Sequence, residues 1–319
     1  MMKKQHITAI PGHTQTIPSS AIVAPEQTSI GTTITADYHK RLFAINTIKQ
    51  LVALCRETQQ HRGLGMGLLA GNEHFTERFS RLQLQMKRRI QILDAFCHEA
   101  HCQLSQPDLN SIRDGWQTIR EGWHDDSVLE NFQFHGHFIE QQLKIIARLS
   151  RCLQEPLGAS TPPSFEPDEI TQRNQKLLTF TCNHLPHLIE FTGKIRALST
   201  HAATSGHAIV EHDKQLKYFC QCIQTEKRQT IYTAEELHRQ IGSYMPSLLL
   251  LQTYEFKLSA FTDKVLQHIV GQKTIPVTSN DIFSMATEIM DTYWRVVDDG
   301  LDVLLRQQEQ ALEQWCQRG

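Results

Sequence analysis

Apolar side chains recur at steps of three and four from about Asp37 to Trp315, and strand-like alternation is almost absent. That period puts the apolar positions on one stripe of an α-helix, so the expected fold class is all-α. Breaks in the pattern predict helices over about 37–70, 73–104, 108–123 and 126–153, then over about 168–205, 211–242, 246–270 and 280–316. Gly71-Asn72 is a C-terminal stop for the first of these. Asp108 or Asn110 is the expected N-cap of the third, and Asp168 that of the fifth. Pro186 should kink or break the fifth, because it lacks an N–H and crowds the preceding turn. Gly242, Pro246, Gly271 and Pro276 mark the last joints.

The segment EPLGASTPPSFEP, residues 155–167, reads as a Pro-rich linker between two sets of helices. Residues 1 to about 35 are rich in Thr, Ser, Pro and Ile without a period, and read as a disordered tail ahead of a helical region over 36–319. Long helices with short joints pack as antiparallel bundles. The expected architecture is therefore two antiparallel helical bundles of about four helices each, over about 36–154 and 168–317, sharing a long helix pair.

The first helix carries a near-heptad seam: Ile45, Ile48, Val52, Cys55, Gln59, Arg62, Met66 and Leu69. Arg62 stands on this seam, followed by Gly63, Gly65 and Gly67. Each interior glycine costs a helix roughly 1 kcal/mol against alanine, so three together imply close helix approach or room for a small ligand. A second seam after the linker has the same spacing: Leu185, Ile189, Thr192, Arg196, Ser199, Ala203 and Gly206. Arg196 lies on it among small neighbours, Gly193, Ala197, Ser199, Ala202 and Ala203. RGLGMGLLAG and RALSTHAATS share the order Arg, small, Leu, small, a weak internal repeat.

A guanidinium does not lose its proton, so an arginine buried on a seam needs an acceptor. Glu57, Asp94, Glu190 or Asp291 could supply a carboxylate. The other solution is an external small planar oxyanion, which suits the arginine fork. Thr192, Ser199, Thr200 or Gln59 could then donate further hydrogen bonds. The residues alone leave both solutions open.

Composition narrows the function classes. Hydrophobic residues make up 40% and charged residues 21%, enough for a sizeable core, and the net charge of −2 provides no basic field for nucleic acid. No apolar run approaches the roughly twenty residues of a membrane span, and the first residues carry no secretory signal, so a cytoplasmic location is expected. The eight cysteines form no CxxC pair and read as small apolar residues of a reduced protein. Glu121-x-x-His124 and Glu235-x-x-His238 match half of a di-iron pattern, which would need further inward-facing glutamates. With 17 histidines such matches arise by chance, and His98-x-x-His101-Cys102 and His135-x-His137 read as solvated or capping histidines. No metal or cofactor is expected. Gly63-x-Gly65-x-Gly67 follows no strand and is no dinucleotide fingerprint. Trp116, Trp123, Trp294 and Trp315 read as packing anchors, and MKRRIQ (86–91) as a solvated helix face. Catalytic machinery is not in evidence.

Gln59-Gln60-His61-Arg62-Gly63 and Gly193-Lys194-Ile195-Arg196-Ala197-Leu198-Ser199, in this order in an all-helical chain, resemble the two motifs of the nitrate- and nitrite-sensing (NIT) domain family. IFSMATEIMDTYWRVVDDGLDVL is similar to the family's last helix, and the resemblance runs from about Asp37 to Trp315. It implies a pocket for nitrate or nitrite between helices, with Arg62 and Arg196 as main ligands. Gln59, Gly63, Thr192, Ser199 and Thr200 are placed to support them. It also implies a homodimer, and sensing without catalysis. Two positions depart from the family pattern: His61 stands where Glu is usual and Gly65 where Ser is frequent, which leaves the charge of the site open. The family's usual outputs are an antiterminator RNA-binding domain, a chemoreceptor, a kinase or a cyclase. The helical region takes up the sequence to Gly319, so the expected output is a separate partner protein. The alternative reading is a helical interaction or scaffold protein with a degenerate pocket. A metal-binding helical-bundle oxidase is a distant third.

Overall fold

The computed structural model describes residues 25–98, 103–157, 169–208 and 210–318. They form α1 (Pro25–Leu69), α2 (Thr76–Cys97), α3 (Gln106–Arg120), α4 (Val128–Ser150), α5 (Glu169–Thr179), α6 (Leu185–Ser205), α7 (Val210–Ile241), α8 (Leu248–His268) and α9 (Ser279–Arg318). No strand occurs among the described residues, and the helices pack as an all-α bundle protein.

Local chemistry sets the ends. α1 stops where Gly71 adopts a left-handed backbone, φ 95°, and the Asn72 N–H turns back to the Gly67 carbonyl at 2.9 Å. Ser105 caps α3, with Asp108 closing a capping box three residues on, so Asp108 is the third residue of the helix rather than its cap. Ser127 and Glu130 repeat the device on α4. Pro186 lies in the first turn of α6, where its missing N–H is harmless. The strain it would impose on the turn before is taken up by one π-helical turn, Phe180–His184, that joins α5 to α6. The expected kink is thus a widened turn.

Two further expectations meet the structure differently. α1 begins at Pro25, so residues 25–35, assigned to a tail by composition, are helical, with Ile34 buried against the core. The second helix ends at Cys97 instead of near 104. Asp168 and residues 158–167 of the Pro-rich segment lie outside the described residues, as do residues 1–24 and the pair His101 and Cys102.

α1 packs on α2 and α4, and α3 on α2 and α4, closing one four-helix ring. α6, α7, α8 and α9 close a second ring in the same order. The rings meet along α1 and α6, with α9 also against α1 and α4 against α6, and one apolar core runs through both. The contacts between α1 and α6 advance together: Gly63 faces Arg196, and one turn on Gly67 faces Thr200. The two helices therefore run parallel, whereas α4 runs antiparallel to α1, since His61 meets His135 and Thr58 meets Gln142. The α1 seam is buried as its period predicts, with Ile45, Ile48, Val52, Cys55 and Met66 at 1% exposure or less.

Gly63, Gly65 and Gly67 of α1 face three different neighbours. A methyl group at Gly63 would meet the Phe283 ring at 2.9 Å and Arg196 Nε at 3.2 Å. At Gly65 it would meet Phe79 at 3.3 Å, and at Gly67 the Phe75 ring at 2.5 Å. Gly136, in α4, has nothing within 4 Å of that position. Gly67→Ala is therefore expected to lose about 1–3 kcal/mol of unfolding free energy through overpacking. Gly136→Ala should gain up to about 1 kcal/mol from helix propensity. Urea unfolding of the two variants beside the wild type checks both signs; equal effects would contradict the close approach at Gly67.

Candidate functional site

The parallel approach of α1 and α6 puts Arg62 and Arg196 side by side in the core, each at 1% exposure or less. Each guanidinium lies against a glycine of the other helix. Arg62 Nη2 occupies the space a methyl group at Gly193 would need, and Arg196 Nε that of one at Gly63. The small residues beside both arginines thus make room for the opposite guanidinium.

Their partners differ. Arg62 grips Glu190 with both prongs, Nη1 to Oε1 at 2.7 Å and Nη2 to Oε2 at 3.1 Å. Of the four carboxylates proposed as acceptors, only Glu190 pairs with either seam arginine. Glu57 pairs with Arg89, Asp94 pairs with Arg113, and Asp291 acts on Arg196 only through its field. Arg196 donates from Nη1 to Thr287 Oγ1 at 2.8 Å and from Nη2 to the Gln59 backbone carbonyl at 2.6 Å. It has no carboxylate partner among the described residues, and its flat face lies 4.8 Å from the Phe283 ring centre. Burial, with the like charge of Arg62 beside it, lowers its pKa to about 9, so it remains a cation at neutral pH.

Gln59 is the hub. Its amide nitrogen donates to Glu190 Oε2 at 2.9 Å, and its amide oxygen accepts from Trp294 Nε1 at 3.1 Å. Together with its carbonyl, held by Arg196, it ties α1 to α6 and α9. The supporting residues divide. Gly63 and Gln59 are in place. The Thr192 hydroxyl donates to the Leu188 carbonyl of its own helix. The hydroxyls of Ser199 and Thr200 are buried without a partner among the described residues, as are Arg62 Nε and Arg196 Nε. Trp294, Thr287 and Phe283 were not singled out as site residues. They come from α9, and nothing in local spacing says which face of α9 meets Gln59.

The charge of His61 follows from hydrogen-bond logic. The Asn131 carbonyl can only accept, so His135 Nδ1, 2.7 Å from it, carries the proton. Burial keeps His135 neutral, so its Nε2 is a lone pair and His61 Nδ1, 2.7 Å away, donates to it. Both rings are neutral and fully buried; they stack on each other, and the His61 ring also lies tilted against Phe79 and edge-on to Trp116. Burial pushes the pKa of His61 well down and that of His135 to about 3. The innermost charges are then Arg62, Arg196 and Glu190, a net of one positive charge.

Among the described residues, no three histidine, cysteine or acidic side chains are grouped to hold a metal ion. No described helix is long and apolar enough to cross a membrane. Compared with known proteins, the chain matches no family model, no curated protein and no solved structure.

The histidine pair yields a pH dependence. Both pKa values are depressed below the ordinary 6.5, so the unfolded chain takes up protons first as pH falls. The stabilisation is complete above about pH 6.5 and is lost below it, with a slope of up to about 1.4 kcal/mol per pH unit for each ring. Urea unfolding between about pH 7 and 5 should show this decline, and His135→Gln should make it shallower, the remaining slope coming from His187, His201 and His212, whose pKa values burial also lowers. A wild-type profile with no slope over that range would show that the pair is not held neutral.

Proposed function

We propose that the protein is a nitrate or nitrite sensor without catalytic activity, which binds one small oxyanion beside Arg196 and Arg62. The observation that carries this reading is Arg196: a fully buried guanidinium that has no carboxylate partner among the described residues, beside a second arginine paired with Glu190. A buried cation without its counter-ion is strongly unfavourable, and a singly charged planar anion would neutralise the set. Its oxygens could accept from the free Nε–H of Arg196 and from the hydroxyls of Ser199 and Thr200. Arg62 contributes field and position, since Glu190 already fills its fork. The order of the two motifs, and their resemblance to the NIT pair, supports nitrate and nitrite as the ligand class.

The anion would act by competing for Arg196. That residue holds the Gln59 carbonyl, and Gln59 holds α6 and α9. Drawing Arg196 toward an anion loosens this junction and lets the rings shift, a small helix slide of the kind that interfaces amplify. We further propose that the protein works as a cytoplasmic homodimer and passes the change to a separate regulatory protein.

A second reading has one observation in its favour. The bidentate Arg62–Glu190 pair is complete in itself, as it would be in a scaffold protein whose arginines only join the two rings. Calorimetric titration with nitrate and nitrite, with chloride as control, separates the readings. Saturable binding is expected in the wild type, absent from Arg196→Ala and weakened in the paired variant Arg62→Ala, Glu190→Gln, which removes the internal ion pair together. Wild-type protein that takes up neither anion would establish the scaffold reading.

A further inference from the structure

The outer face of α7 carries a repeat that its core packing does not use. The helix buries Leu216, Cys220, Ile223, Ala234 and Leu237 and packs between α6 and α8. On the opposite side Tyr218, Thr225 and Tyr232 follow at steps of seven, all exposed, the two tyrosines at 59% and 60%. A step of seven keeps side chains on one helix face, as in a seam that meets another helix. Tyrosine suits such a face, since its ring can be covered while its hydroxyl stays hydrated.

This face is symmetrical about Thr225 in position and opposite in charge. Tyr218 and Tyr232 stand seven residues either side of it, and Glu211 and Arg239 fourteen. Lys214 stands eleven residues before it and Glu235 ten after it. These four charged side chains are exposed and have no ion-pair partner among the described residues, whereas Glu236 and Lys227 of the same helix pair with Lys176 and Glu255. Glu211 and Arg239 also suit the two ends of a helix, acid first and base last. Lys214 and Glu235 run against that order, so the helix ends do not account for them.

In a two-fold pair, a residue that meets another is met by it in return. An antiparallel second copy of α7, with the axis at Thr225, sets Tyr218 against Tyr232, Glu211 against Arg239 and Lys214 against Glu235, each contact made twice. Arg228 then falls opposite Gln221 and not opposite itself. A parallel pair would set every one of these charges against its like. We infer that the outer face of α7 is the surface on which two copies of the chain join, antiparallel about Thr225. The inference rests on the homodimer reading given above and names its surface. Because α7 packs on α6, which carries Glu190 and Arg196, that surface lies one helix away from the arginine site.

Sedimentation velocity of the full chain from about 1 to 300 µM tests it, and the wild type should dimerise within that range. Lys214→Glu and Glu235→Lys, each alone, should raise the dimer Kd by about tenfold, because each sets like charges opposite one another in two places. Both reversals together should return the Kd to within about twofold of the wild type. Damage to the helix itself would add in the double variant where a contact between copies cancels. Under mild oxidation, in a Cys222→Ser, Cys316→Ser background, Thr225→Cys should link two chains, since a residue on the axis meets its own copy. Tyr218→Cys, set against Tyr232, should not. A wild-type dimer whose Kd neither reversal changes, and which Thr225→Cys does not link, overturns this surface and leaves the homodimer standing. A wild type that stays monomeric throughout overturns the surface and the homodimer together, while nitrate titration judges the anion site independently.

Discussion

A guanidinium keeps its proton at neutral pH, so Arg62 and Arg196 bring two positive charges into the core. Like charges at close range in a poorly solvating interior repel strongly. The centre of the molecule is arranged around that constraint. Glu190 answers one charge in the geometry that best suits an arginine fork. The other is met by dipoles, the Gln59 carbonyl and the Thr287 hydroxyl, and by the face of Phe283. Glycines at 63 and 193 remove the side chains that would otherwise occupy the guanidinium positions. The neutral, tautomerically fixed pair His61–His135 adds polarity beside Arg62 without adding a third charge.

Gln59 gathers these demands on one residue. Its backbone carbonyl belongs to the hydrogen-bond ladder of α1, yet Arg196 also draws on it, and its side-chain amide spans to α6 and α9. The junction of two four-helix rings therefore depends on polar contacts at its centre and on apolar packing around them. Polar contacts of this kind are directional. They select one relative placement of the helices where apolar packing alone tolerates several.

Much of this was legible in the sequence. The period of three and four identified the helices, and the unbroken seams through Arg62 and Arg196 placed both arginines in the interior. The partner of Arg62 was not legible. Four carboxylates could serve, and choosing Glu190 requires knowing that α1 and α6 run parallel in one register, which no local pattern encodes. His135 stood in a His-x-His string, but its partner lies in another helix and its tautomer follows from the Asn131 carbonyl. Trp294 read as a packing anchor because its Nε1–H finds an acceptor only through the fold. The start of α1 was misplaced because Thr-rich composition argues against a helix, and burial of Ile34 overrides that weak local preference.

The parallel pairing of α1 and α6 has one further consequence. The surface between the two rings is built as a subunit interface is built, with each side lending an arginine to a space cleared by the other. Neither ring alone could present a finished site. Separated, each would expose a charged group and a strip of bare backbone that fit only the missing half. Covalent connection of the halves fixes their stoichiometry at one to one, so the two arginines meet at a rate set by the chain itself and not by the abundance of the protein in the cell.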